Sequence, residues 1–224
     1  MKTIPFLIVI CLLYATETTA QNFSAIYSVE HTTTVNTSEM QTASVTLGYT
    51  GYFYKSGNKY ISFFKPLFLD KYEDGSFEIA PGHSVNITMD TIQAISYIDL
   101  DSNIVRTRTD MVKINKVRKF VPGLIKWQIM PETKNINGLD CQRALMDFNG
   151  KTNLCEIWFC SDINIPVSLR NLPDLPGFLV EANYYSAKET YKLVSYKIED
   201  SISENTFWPL EFKEPFYDQR TKRK

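Results

Sequence analysis

The sequence predicts a mainly β protein, a curved antiparallel meander forming an open bowl or half-barrel, and three observations predict it. Aromatic residues make up 13% of the 224-residue chain, and they collect with Val, Ile and Thr in short runs, the composition that suits a pleated, half-buried surface. Those runs follow one another at hairpin spacing, separated by Gly, Asn, Asp and Pro. No window longer than two turns repeats its apolar residues at the helical period. So many strands in one meander must curl, split or be covered.

Phe23 to Thr34 and Ser44 to Lys55 are rich in aromatic, Val and Thr residues. The second turns through Ser56-Gly57-Asn58 into Tyr60-Ile-Ser-Phe-Phe64, a hairpin signal. Ile92 to Leu100 alternates, turns at Asp101-Ser-Asn103 and returns as Ile104 to Ile114. That turn uses Asp and Asn to satisfy its own backbone, since it lacks the ligand spacing and terminal Glu of a calcium loop. Leu124 to Met130, Leu139 to Phe148, Asn153 to Cys160, Phe178 to Tyr185 and Tyr191 to Ile198 complete the series. Helix is expected only as short pieces, near Asn164 to Asn171 or in the C-terminal stretch. Three Pro-Gly pairs, at 81–82, 122–123 and 176–177, suit type II turns, with Gly supplying the positive φ.

The first residues read as a targeting signal. Lys2 precedes the apolar run Ile4 to Leu13, and Thr18 and Ala20 stand where small cleavage-site residues belong. The run is well short of the roughly 20 residues of a spanning helix. Residues 1–20 are therefore expected to be a cleaved signal peptide and residues 21–224 one β-rich domain, exported to the periplasm, the cell envelope or the medium, with no transmembrane segment. No linker, low-complexity tract or charge block divides it.

Charge excludes one class of function. The chain carries 24 Lys+Arg against 25 Asp+Glu, so it has no electrostatic footprint for nucleic acid. Its two histidines, His31 and His83, are far apart, with no paired Cys-x-x-Cys, so no metal site is expected. No serine elbow, phosphate loop or dinucleotide fingerprint is present. No catalytic residue and no cofactor are expected, although whether the protein is an enzyme is left open. Tyr52, Tyr54, Tyr60 and Phe64 are the candidate ligand-binding rings, since one face of their hairpin would offer aromatic surface to an apolar or sugar ligand; the competing role is core packing.

The cysteines mark the most informative hairpin. Asn149-Gly150 between two strands reads as a type I′ turn pairing Phe148 with Lys151. In that register Arg143 faces Glu156 and Leu145 faces Leu154. Cys155 falls on the apolar face and reads as a free thiol, inert because an apolar neighbourhood raises its pKa. Cys141 and Cys160 share the other face but sit diagonally, roughly 7–8 Å apart. A two-residue loop leaves them unbonded, and a four-residue loop brings them level for a disulfide.

The residues around this hairpin resemble the GLPGLI family of exported bacterial proteins. They run in order as Trp127-Gln-Ile129, Ile136-Asn-Gly-Leu-Asp-Cys141-Gln-Arg-Ala144, Trp158-Phe159, Ile165-Pro166, Leu175-Pro176-Gly177-Phe-Leu179 and Glu181. The resemblance covers roughly residues 112–181. It makes Cys141, Ala144, Trp158, Pro166, Leu175, Pro176 and Gly177 motif positions. Two departures stand out: Asp174 occupies the place of the motif's first Gly, and Val167-Ser-Leu-Arg-Asn-Leu-Pro173 replaces a Gly-Pro step. The resemblance implies a sheet-rich exported protein without assigned chemistry, similar to the bowl-shaped N-terminal accessory domain of some bacterial peptide-N-glycosidases. The expected function is a non-enzymatic binding or assembly module of the bacterial envelope, for an unknown envelope partner or an apolar or glycan ligand. The alternative is an accessory domain or enzyme acting on glycans or glycopeptides.

Overall fold

A computed structural model describes residues 22–36, 42–67, 76–80, 83–86, 93–109, 114–123, 125–148, 150–151, 154–209, 212 and 216–218. The expected signal peptide, residues 1–20, and the turn expected at Pro81-Gly82 lie outside the described residues. Among the described residues there are fourteen strands: β1 (Asn22–Asn36), β2 (Thr42–Ser56), β3 (Lys59–Pro66), β4 (Ser76–Ala80), β5 (His83–Asn86), β6 (Gln93–Asp99), β7 (Ile104–Thr109), β8 (Ile114–Lys119), β9 (Lys126–Ile136), β10 (Leu139–Asp147), β11 (Cys155–Cys160), β12 (Phe178–Tyr184), β13 (Glu189–Glu199) and β14 (Phe216–Asp218).

Twelve of them make one open sheet in the order β14-β8-β7-β6-β3-β2-β1-β13-β12-β11-β10-β9, and β4 and β5 form a separate hairpin. The spine of that sheet is β1. It pairs with β2 from Phe23↔Lys55 to Asn36↔Thr42 on one side, and with β13 from Asn22↔Glu199 to His31↔Glu189 on the other. Two meander arms thus meet at the N-terminal strand. The parallel pair β14·β8 is the one exception to antiparallel pairing among the described strands.

Alternation along β1 and β2 explains which face is inside. Phe23, Ala25, Tyr27 and Val29 of β1, with Val45, Leu47, Tyr49 and Phe53 of β2, are all buried, as a period of two requires for a half-buried strand. What covers this face is the connection from β11 to β12, residues 161–177. Ile165, Val167, Leu169, Leu172 and Leu175 are buried there, and its single 3₁₀ turn, Leu169–Asn171, packs against β2, β3 and β6. This plug loop packs its apolar residues into the same core as β1 and β2. On the opposite face Ile61, Ile95 and Tyr97 form a second, smaller core with Phe207 and Phe212.

Several expectations are corrected. The stretch Ile104 to Ile114 is two strands, β7 and the start of β8. The strand expected to stop at Met130 runs on to Ile136 as β9. It turns at Asn137-Gly138, where both residues take positive φ (53° and 82°), the signature of a type I′ hairpin. Pro131 survives inside β9 because the pairing slips there: Gln142 faces Thr133 and Ala144 faces Ile129, a bulge that removes the need for its missing N–H.

The cysteine hairpin also differs. Phe148 pairs with Lys151 as expected, but Arg143 then faces Trp158 and Leu145 faces Glu156. Two extra residues have entered on the β11 side of the turn. The side-chain pair between Arg143 and Glu156 survives the shift diagonally, at 2.8 Å from Nη2 to Oε2. Gly177 is the last correction: it has no positive φ, unlike Gly123 at 73°. Its role is close approach, since a Cβ there would lie 2.3 Å from the Cys160 carbonyl oxygen.

Candidate functional site

A cavity of about 730 Å³ opens at the rim of the enclosed face, within the size range of small-ligand sites. Four elements build it. The β2–β3 hairpin contributes Lys55, Gly57, Asn58 and Tyr60; the β6–β7 turn contributes Leu100 and Asp101; the start of the plug loop supplies Asp162 to Pro166; and β1 and β13 supply Phe23, Tyr196 and Ile198.

Local chemistry fixes each wall. The β2–β3 hairpin needs only two turn residues because Gly57 takes φ 56°. The β6–β7 turn holds itself together through Asp99, whose Oδ1 accepts from the backbone N–H of Asp101 (3.0 Å) and of Ser102 (3.2 Å), with Asn103 at φ 54°. Asn58 Nδ2 donates to Asp101 Oδ1 at 2.8 Å, tying the two turns across the mouth. The apolar wall is stacked: Phe23 and Tyr196 lie with ring centroids 5.8 Å apart and planes 21° off parallel, and Phe178 meets Phe23 edge-on at 4.8 Å. Phe23 and Tyr60 are buried, whereas Tyr196 and Ile198 keep apolar surface exposed, Ile198 at 57%. The remaining lining is polar and exposed: Asn58, Asp101, Asp162 and Asn164.

A buried charge cluster anchors the plug loop deeper inside. Glu189 of β13 is 2% exposed. Its Oε1 receives Arg170 Nη2 at 2.6 Å, and its Oε2 accepts from the Tyr191 hydroxyl at 2.7 Å. His31 Nδ1 of β1 lies 3.0 Å from Oε1 but is poorly aligned for a hydrogen bond, so it adds charge only when the imidazole is protonated. Arg170 reaches this position from φ 60° within the 3₁₀ turn, with its guanidinium 5.7 Å from the Phe64 ring centroid. The geometry pins the loop to the spine of the sheet.

The four candidate rings separate. Tyr60 lines the cavity. Phe64 is buried beneath Arg170 and meets Tyr191 edge-on at 6.1 Å. Tyr52 and Tyr54 stack on Phe63 at 5.1 and 6.2 Å, and Tyr54 and Phe63 pack against the second core. Phe23, Tyr196, Asp162 and Asn164 joined the cavity without any local signal in the sequence, because strands distant in the chain bring them together.

The motif positions have structural homes. Ala144 is fully buried; Trp158 lies under Lys134 Nζ, 4.2 Å from its ring centroid. The Pro166 carbonyl accepts from Leu175 N–H at 3.1 Å, closing the plug loop on itself next to Pro176 and Gly177. Asp174, where the resemblance places a Gly, takes φ 59° and accepts from Gly123 N–H at 2.7 Å through Oδ2. A left-handed residue is what that position demands, and Asp tolerates it. Cys141, Cys155 and Cys160 are buried free thiols, and burial pushes the Cys155 thiol up to about 12 and that of Cys141 up to about 11. Among the described residues no cluster of three or more His, Cys, Asp or Glu is placed to hold a metal, and no helix is long and apolar enough to cross a membrane.

No protein-family model and no curated protein matches this chain. Among solved structures, it is similar to the peptide-N-glycosidase PNGF-II in two crystal forms, space groups C2 and P21. Each has 12% sequence identity and a TM-score of 0.49 over 90% of this chain. The chain covers 31% and 32% of those two structures, about a third of their length. The likeness is a remote one of structure.

Proposed function

We propose that the protein is an exported binding module of the bacterial envelope that holds a short glycan in the rim cavity without transforming it. The observation that carries this reading is the composition of the cavity wall. Tyr196, stacked on the buried Phe23, and Ile198 offer an apolar surface on one side, while Asn58, Asp101, Asp162 and Asn164 offer amides and carboxylates on the other. A sugar ring has the same division: a C–H face that suits an aromatic plane and a rim of hydroxyls that suits fixed acceptors and donors. The sequence supports export through the Ile4 to Leu13 run, and the GLPGLI-like motifs around Cys141 and Leu175 agree with an envelope role.

The test is calorimetric titration with a panel of neutral oligosaccharides, with apolar ligands and peptides as competing classes. A saturable oligosaccharide signal that weakens at least tenfold in Tyr196→Ala and in Asp162→Ala supports the proposal. Binding confined to peptides or lipids, or no binding by any class to folded protein, removes it.

A second reading, action on glycans or glycopeptides, rests on one feature: Asp101 and Asp162 reach the same cavity from different loops. Paired carboxylates are the machinery of glycoside cleavage. Release of free glycan from a glycopeptide, abolished in Asp162→Asn, decides for this reading over simple binding.

A further inference from the structure

We infer that Cys141 and Cys160 form a cross-strand dithiol that closes to a disulfide, leaving Cys155 as the free thiol. The observed register is the foundation. The observed β10–β11 ladder ends at Gln142 facing Phe159; continued by one residue, the same register sets Cys141 opposite Cys160, whose nearness also acts on the Cys141 thiol. Directly opposed residues in an antiparallel pair have Cα atoms about 4.5 or 5.5 Å apart, inside the roughly 4.4–6.8 Å that a disulfide spans. The two-residue slip after the Phe148–Lys151 bridge is what brings the pair level. A hairpin without that slip holds the two diagonally, out of reach.

The third thiol has no such partner. Cys155 lies five residues before Cys160 on the same strand, about 16 Å away at the rise of an extended chain. In β12 it faces Tyr184. A bond from Cys155 to Cys141 or to Cys160 therefore requires a different fold around β11.

Closure is a two-electron oxidation. The Cys160 or Cys141 thiolate attacks a sulfur of an external disulfide, expelling one thiolate and forming a mixed disulfide. The opposing cysteine, deprotonated in turn, attacks the protein sulfur of that mixed bond and expels the second thiolate. The protein loses two protons and two electrons, and the external disulfide gains them as two thiols. Because Cys141 and Cys160 are 1% and 2% exposed, an oxidant meets them most easily while the chain is folding. The bond has a consequence for the cavity: Cys160 directly precedes residues 161–166, and its carbonyl lies hard against Gly177 at the other end of the plug loop.

The experiment refolds the reduced, denatured full chain in a mixture of reduced and oxidised glutathione, then alkylates and maps the peptides by mass. The expected result is a Cys141–Cys160 linked peptide and two alkylated cysteines, Cys11 and Cys155, with the linked fraction rising as the oxidised share of glutathione rises. Four alkylated cysteines in folded protein at every glutathione ratio overturn the inference, and so does a bond that includes Cys155 or Cys11. A Cys155→Ala variant must keep the linked peptide. Because the mapping is made on the unaltered sequence, it decides the question even where a Cys141→Ala chain fails to fold.

Discussion

Gly177 and the carbonyl of Cys160 stand closer than any residue with a side chain allows. A Cβ on Gly177 would lie 2.3 Å from that oxygen, 2.9 Å from its carbon and 3.0 Å from the Ser161 Cα. All three atoms are backbone, so no rotamer relieves the overlap. Gly177→Ala is expected to destabilise the protein at the upper end of the overpacking range, about 3 kcal/mol. Gly123→Ala meets no atom within 4 Å and has only its φ of 73° against it, so its cost is about 1 kcal/mol. Urea midpoints of the two variants check the contrast, and equal midpoints would refute the close-approach role of Gly177.

The Arg170–Glu189 pair predicts an asymmetry. Glu189 is buried whereas the Arg170 side chain is 46% exposed, so the two halves do not respond alike to losing their partner. Arg170→Ala leaves a carboxylate inside the protein with only the Tyr191 hydroxyl and a misaligned imidazole, and is expected to cost about 3–5 kcal/mol. Glu189→Gln keeps an acceptor for Tyr191 and frees an arginine that reaches water, so it is expected to cost less, about 1–2 kcal/mol. Urea denaturation of both variants at neutral pH tests this order.

The mainly β class was legible because period-two burial needs only neighbouring residues to be seen: Phe23, Ala25, Tyr27 and Val29 declare one face of β1 on their own. The β2–β3 and β6–β7 turns were equally legible, since Gly57 and Asn103 carry their conformations locally. What escaped was everything set by partners distant in the chain. Asn137-Gly138 is as plain a turn signal as Asn149-Gly150, yet the strand was expected to end at Met130, and only the bulge opposite Arg143 shows how β9 passes through Pro131. The two-residue slip in the β10–β11 hairpin has no mark in the sequence, because both registers give sensible cross-strand neighbours. The cavity was least legible. Tyr60 appeared among the candidates, but Tyr196 and Asp162 lie more than a hundred residues away and become its neighbours only through the pairing of β1 with β13.

The Asp174–Gly123 contact joins the plug loop to the turn before β9, and it separates two roles of one residue. Asp174 holds φ 59° and accepts the Gly123 N–H. Asp174→Gly keeps the conformation and loses the acceptor, so the expected change is small, about 1 kcal/mol. Asp174→Val loses the acceptor and places a β-branched residue at positive φ, with an expected loss of about 2–3 kcal/mol. Thermal unfolding of both variants distinguishes the roles. Equal losses would mean that the backbone conformation contributes nothing.

Alkali should unfold this protein through its buried thiols and phenols. Burial pushes Cys155 up to about 12 from an ordinary thiol value near 9 and, while the Cys141–Cys160 pair is reduced, pushes Cys141 up to about 11. Burial first, and then the Asp99 charge, push Tyr97 up to about 12 from 10. Tyr27, Tyr184 and Tyr191 are raised well above 10, mainly by burial. Between pH 9 and 12 the unfolded chain has therefore released protons that the folded chain still holds. Stability rises with pH only where the unfolded state binds more protons; here it binds fewer, so stability falls as pH rises through this window. The free energy of unfolding should be nearly flat from pH 7 to 8.5 and decline steeply above 9. Tyrosinate absorbance of the buried rings should appear together with loss of the sheet's circular dichroism. Cys155→Ala should make the decline shallower between pH 9 and 12. A decline that begins below pH 8, or tyrosinate absorbance from these rings while the sheet is intact, would show that they are not sealed from solvent.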